Sequence, residues 1–269
     1  MTTLPTFTTL GAGPTILMLH DIGGGHRAFA PQVESFAAAG YRAVAWDMPG
    51  YGHSAPIDPY TFKGLAQSCG VLIDSLMQSR GGGGVILLGH GMGGMVAQEV
   101  AARRPELVRR LVLCATSAQV GPAEADARLD WQRDYVAASL APLEDGQDMT
   151  ALAQTVVPQL IGPAALPEGV ALAKHVMAQL SPATYRRALE ALVGFDRQAS
   201  LDRIHVPTLL LGGAADTVSP PAVMRQMAQA IGGSSYLELP GIGHLPQLEA
   251  PDDFDGLVLN FLAMPSLLN

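Results

Sequence analysis

The chain has 269 residues, 48 % apolar and 15 % charged, so it is long enough to bury a core without disulfides or metal and too apolar to be disordered. Sixteen basic residues against 24 acidic ones give a net charge of −8, and no basic run exceeds two residues. That excludes the basic footprint of a nucleic-acid partner.

Residues 1–10 carry no positive charge and no long apolar core, so they do not read as a signal peptide. Apolar runs at 15–20, 42–46, 85–88, 111–114 and 208–211 predict strands buried on both faces. A sixth at 235–239 alternates and reads as nearer an edge. Between them, residues 29–39, 62–79, 92–103, 221–231 and 252–262 have helical spacing. This alternation predicts βαβ units and a mainly parallel, doubly wound sheet.

The rhythm breaks once. Residues 119–200 offer no strand, only helical segments at 124–140, 149–160, 169–180 and 182–193. Ser181-Pro182 is a cap residue followed by proline at the first helical position. The expected organisation is a core of residues 1–118 and 201–269 with a helical cap, 119–200, over the carboxyl ends of the strands, where such sheets bind ligands. Cys69 and Cys114 are too few for a disulfide framework. The charge-free stretch 81–98 holds eight glycines and is no membrane helix. A cytoplasmic protein with no membrane partner is expected; its oligomeric state stays open.

The most informative stretch is Gly89-His90-Gly91-Met92-Gly93-Gly94, which follows a strand and opens a helix. A sharp strand-to-helix turn needs glycine where the two backbones pass, and it pushes its middle residue to the tip. Taken alone, Gly89, Gly91 and Gly94 also fit a dinucleotide fingerprint, but residues 108–118 hold no acid to bind a ribose. The stretch resembles the nucleophile elbow of the α/β-hydrolase superfamily, commonly Gly-His-Ser-Met-Gly-Gly. Only position 91 differs, and a glycine there cannot attack a substrate.

The resemblance covers about residues 10–264 and implies an α/β-hydrolase fold. It implies a Ser-His-Asp mechanism with Gly91 at the nucleophile position, Asp216 as the acid in Gly212-Gly213-Ala214-Ala215-Asp216, and His244 as the base in Pro240-Gly241-Ile242-Gly243-His244. The implied oxyanion-hole donors are the backbone N–H groups of Met92 and Ile22. The family usually has His-Gly before the latter, where this chain has His20-Asp21. The loop from Trp46 to Ser54 resembles one whose role is structural. Asp21, Asp47 and Asp202 read as turn or capping residues. His20, His26, His53, His90, His175 and His205 read as structural or solvated.

Cap residues 176–185 and 202–208 are similar to those of 3-oxoadipate enol-lactonase-like hydrolases, which implies a small ester or lactone as substrate. Alternatives are C–C bond hydrolysis of ring-cleavage products, or a non-catalytic small-molecule binding protein. Two accounts of Gly91 are open. It is a substitution made to inactivate a hydrolase, favoured by the intact rest of the triad, or a natural glycine in a binder or in an enzyme using a water held by His244. Trp131 and Tyr135, one helical turn apart, and Met177 and Met224 read as core or as pocket lining. A carboxylated substrate would need an arginine, with Arg133, Arg186 and Arg187 as candidates. No cofactor is implied, and without paired-Cys or His-Glu-x-x-His spacing no metal is expected.

Overall fold

The computed structural model describes residues 3–78, 83–122 and 124–265. Seven strands form one sheet: β1 (Phe7–Leu10), β2 (Thr15–Leu19), β3 (Arg42–Trp46), β4 (Val85–His90), β5 (Val108–Cys114), β6 (Thr208–Gly213) and β7 (Ser235–Leu239). Their order is β1-β3-β2-β4-β5-β6-β7, with β1 antiparallel to β3 and every other pairing parallel. The alternating strand β7 does lie at an edge, with one face half exposed. The other edge strand, β1, is absent from the sequence-based reading. It is short, polar at its centre and unburied at one end, so it lacks the apolar run that marks the others.

Core helices are α1 (Ala30–Ala38), α2 (Phe62–Gln78) and α3 (Met92–Arg103), and, later in the chain, α8 (Pro221–Ala230), the short α9 (Pro246–Glu249) and α10 (Pro251–Ala263). The expected end of the second helix at Ser79 lies outside the described residues. The period of two along a strand sends alternate side chains to opposite faces. Leu17 and Leu19 of β2 join the cluster under α2, α3 and α8, while Ile16 and Met18 join the one under α1 and α10. Both faces are thus covered, which is why these strands read as continuous apolar runs.

Between β5 and β6 come α4 (Ala125–Glu144), α5 (Met149–Leu160), α6 (Pro167–Ala178) and α7 (Pro182–Leu192). The Ser181 hydroxyl caps α7 by accepting from the Thr184 N–H at 3.0 Å. These helices share their own apolar cluster, including Leu152, Val157, Met177 and Leu189, which meets the core at Leu245 and Leu248. None of the described helices is long and apolar enough to cross a membrane.

Strand order places the site. From β2 the chain moves outward to β3, and from β4 it moves the other way to β5, so β2 and β4 flank the switch point where such sheets open a crevice. The register pairs Leu19 with Gly89. Two residues on, Asp21 and Gly91 leave their strands side by side.

Candidate active site

Gly91 has φ 52° and ψ −118°, in the left-handed region that disfavours any residue with a Cβ. Its N–H donates to the Cys114 carbonyl (3.0 Å), and its own carbonyl accepts from the Thr116 hydroxyl (2.7 Å). The glycine next along is required by contact: a Cβ on Gly93 would lie 2.1 Å from the Leu19 carbonyl oxygen. Gly91 is thus the tip of a sharp turn from β4 into α3.

The loops after β6 and β7 bring Asp216 and His244 together. The imidazole Nδ1 donates to Asp216 Oδ2 at 2.9 Å, and Asp216 Oδ1 accepts from the N–H groups of Val218 (2.8 Å) and Ser219 (3.0 Å). Both residues are buried. The His244 N–H donates to Leu160 O at the end of α5 (2.6 Å). On either side of His244, Glu249 accepts from the N–H groups of Gly243 and Leu245, each at 2.8 Å, and from Gly162 at 2.7 Å. This buried carboxylate ties the histidine loop to the inserted helices. Sequence reasoning missed its role; the signal available was an acid six residues after a loop glycine inside an apolar run.

Asp21 does more than the turn or capping role expected of it. It begins a turn, its carbonyl accepting from the Gly24 N–H at 2.9 Å, and its carboxylate takes the first N–H of α3. Its carboxylate enters the site: Oδ1 accepts from the Met92 N–H at 2.6 Å, and Oδ2 faces His244 Nε2 at 3.6 Å. A Cβ built on Gly91 would lie 2.1 Å from Asp21 Oδ1 and 2.3 Å from Cγ. The carboxylate thus fills the space a side chain at the elbow tip would need, and it holds the Met92 amide expected to serve an oxyanion. Ile22 lines the cavity beside it. Ile22 O accepts from the buried Tyr51 hydroxyl (2.9 Å), so the Trp46–Ser54 loop braces this turn.

Burial alone would drive the His244 proton off. The facing Asp21 and Asp216 carboxylates outweigh it and lift the imidazole from its ordinary 6.5 to about 10. Burial would likewise raise both carboxyls. For Asp21, His244, the nearby His90 and the Met92 amide reverse this, and for Asp216, His244 and two backbone amides do; both are held below the usual carboxylate range. At neutral pH His244 is an imidazolium between two carboxylates.

His90, pushed down to about 4 by burial, is neutral. Its Nε2 is bonded to His244 O (2.7 Å) and its Nδ1 to the Gln247 amide (3.2 Å). Side-chain ligand atoms of Asp21, His90 and His244 lie within 4.8 Å of one another, but both His90 nitrogens are already engaged, which leaves that trio short of a ligand. His20 is structural: its Nε2 accepts from the Met48 N–H at 3.0 Å.

A cavity of about 490 Å³ opens on Gly91, Asp21 and His244. From the inserted helices Trp131, Tyr135, Val156, Met177 and Tyr185 line it. Trp131 and Tyr135 stack with centroids 4.8 Å apart, so the pair is pocket wall. Met224 instead is buried in the core. No lysine or arginine lines the cavity among the described residues. Arg133 pairs with Asp130 and Asp134, Arg186 with Glu144, and Arg187 lies over the Tyr60 ring, so none of the three candidate arginines faces a ligand.

Comparison with known proteins finds the same fold. The profile of the alpha/beta hydrolase fold matches residues 14–251. A protein of Mycobacterium tuberculosis named as a non-heme bromoperoxidase is 29 % identical over 262 residues, 94 % of this chain and 95 % of that one. The 3-oxoadipate enol-lactonase 2 of Acinetobacter baylyi is 28 % identical over 91 % of this chain and 87 % of its own. A thermophilic esterase from Thermogutta terrifontis, solved by structural methods, superposes with a TM-score of 0.82 at 25 % identity, over 96 % of this chain and 92 % of that one.

Proposed function

The chain belongs to the alpha/beta hydrolase family, and we propose that it hydrolyses a small, uncharged carboxylic ester or lactone in the cavity beside Gly91. The observation that carries this is the Asp216–His244 pair, buried, 2.9 Å apart and turned toward the elbow tip. The esterase and enol-lactonase relatives support the bond type. The apolar wall without a lysine or arginine supports an uncharged substrate, because a carboxylate there would meet Asp21 with only His244, already shared between two carboxylates, to offset it. Residues 119–200 are the cap, and its Trp131, Tyr135 and Tyr185 set the shape of the substrate.

We read Gly91 as the chain's native residue. Its two departures from the family pattern, Gly91 at the tip and Asp21 in the turn beside it, fit one space; an inactivating change at 91 would leave Asp21 unexplained. In this site water adds to the acyl carbon, the C–O bond breaks, the leaving oxygen takes the Nε2 proton of His244, and the acid formed returns its proton to the ring. Asp216 fixes the ring and stabilises its charged form.

The test is a comparison of the unaltered chain with His244→Ala on p-nitrophenyl acetate and on dihydrocoumarin, an uncharged lactone. Slow turnover lost in His244→Ala supports the proposal. Equal rates in the two proteins, or tight binding of the lactone without turnover, refute it; the latter is the behaviour of a binding protein.

A further inference from the structure

We propose that the cavity between the end of α3 and the turn Gln198–Arg203 is a second binding site, one that takes a phosphate group, free or carried on a small ester. It is separate from the Gly91 cavity, with which it shares no lining residue.

The cavity measures about 100 Å³, the liquid share of roughly three waters, so it admits one small group and not a chain. Three arginines line it: Arg103 from the last turn of α3, Arg197 from the segment that leaves the inserted helices, and Arg203 just beyond. Glu99 is the one acid of the lining among the described residues. Three positive charges against one negative leave an excess of two, in a chain whose net charge is −8.

Glu99 is buried and its carboxylate is already engaged. Oε2 accepts from Arg103 Nε at 2.5 Å, and Oε1 accepts from Arg197 Nε. These bonds use the inner edge of each guanidinium. Arg197 Nη1 donates to the Asp196 carbonyl at 2.6 Å. Among the described residues, Arg197 Nη2 and both Nη groups of Arg103 make no hydrogen bond, and Arg203 makes neither a hydrogen bond nor an ion pair. A buried carboxylate that pins two guanidinium groups by Nε spares a ligand part of the cost of ordering them. It also leaves their outer N–H groups for a second acid.

The number and placing of the donors select the ligand. A carboxylate is planar, carries one charge and is satisfied by a single guanidinium fork. A phosphate group carries close to two charges at neutral pH and has three acceptor oxygens pointing different ways. It matches both the excess of two charges and three guanidinium groups that reach the cavity from different points of the chain. Arg103 belongs to α3, whereas Arg197 stands where its own N–H donates to the Ala118 carbonyl (2.7 Å), closing the two ends of the insertion. A phosphate held by all three arginines therefore ties that closure to α3, and it raises the melting temperature because it binds only the folded chain.

Calorimetric titration of the unaltered chain at neutral pH, with ionic strength fixed by sodium chloride, tests this with sodium phosphate, phenyl phosphate and sodium acetate. Phosphate or phenyl phosphate should bind one to one with a Kd below about 1 mM, and acetate about 10-fold more weakly or worse. Arg203→Ala should weaken phosphate binding about 10-fold or more, the effect of losing one hydrogen bond to a charged group. Because Arg203 has no partner among the described residues, its melting temperature without phosphate should stay unchanged. His244→Ala should bind phosphate as the unaltered chain does. Tighter binding of phenyl phosphate marks an ester as the ligand, and tighter binding of phosphate marks the free ion. Saturation by neither, equal affinity for acetate, an unchanged Kd in Arg203→Ala, or loss of binding in His244→Ala overturns the proposal.

Discussion

A side chain at position 91 and the Asp21 carboxylate compete for one space, and this couples two residues 70 positions apart. Gly91→Ser introduces strain at φ 52° and a collision with Asp21. It should cost roughly 2–6 kcal/mol, from strain of about 1–3 kcal/mol plus overpacking of about 1–3 kcal/mol. In an Asp21→Gly background the collision is gone and the same change should cost less than about 1.5 kcal/mol, within the lower range of such strain. Denaturant midpoints of the four proteins give the coupling, and additive effects would show that the carboxylate does not occupy the elbow space. The proton on His244 makes a second prediction. The native ring holds it to about pH 10 and the unfolded one only to about 6.5. Its stabilising contribution is therefore whole below about 6.5 and is lost as pH rises toward 10; stability should fall on the alkaline side. Asp21 and Asp216, held low in the folded state, act in the opposite sense and lose their contribution on acidification. Asp21→Asn removes one of the two charges holding the His244 proton, so its alkaline decline should be shallower; an unchanged slope would contradict the ion pair. Asp216 and His244 were legible in the sequence because each sits in a recognisable loop after a strand. Asp21 was not, because an acid two residues past a strand end looks like a turn residue until the register sets it abreast of Gly91.

The elements were read best where burial leaves a clear pattern. The strand at Arg42–Trp46 and the helices at Met92–Arg103 and Met149–Leu160 stand at the bounds their apolar spacing gives. The strand at Val108–Cys114 begins three residues earlier than its apolar run: Arg109 lies exposed at a shift of register, and Arg110 pairs with Ile86 and sends its guanidinium to the Phe261 carbonyl. The four-residue helix at Pro246–Glu249 is too short to have a period. It carries Glu249, whose carboxylate accepts three backbone N–H groups around His244. Glu249→Gln turns one acceptor oxygen into an amide donor facing a donor. It should lower stability by about 2 kcal/mol, the range for hydrogen bonds to a charged group. It should also lower kcat more than it raises KM, because it loosens the imidazole and not the pocket wall. An effect on KM alone would place Glu249 outside the support of His244. Trp131→Ala should do the reverse, raising KM for aromatic substrates with little change in melting temperature.

At the scale of the whole molecule, five loops from parallel strands converge on one edge of the sheet, and the inserted helices close over them through Leu160, Leu245 and Leu248. The doubly wound sheet and the helical insertion were legible because their patterns are long. The exchange of space between Asp21 and an elbow side chain was legible only as two separate departures from a family pattern, and only the fold brings them together. The most direct measurement of that exchange is the rate of p-nitrophenyl acetate hydrolysis by Asp21→Gly/Gly91→Ser beside each single variant. The double change vacates the space, frees the Met92 N–H and supplies a hydroxyl to His244. It should exceed both single variants by about 1000-fold or more, the range by which a complete triad outruns one that lacks a member. Gly91→Ser alone matching the double variant would contradict the claim that Asp21 occupies the nucleophile's place.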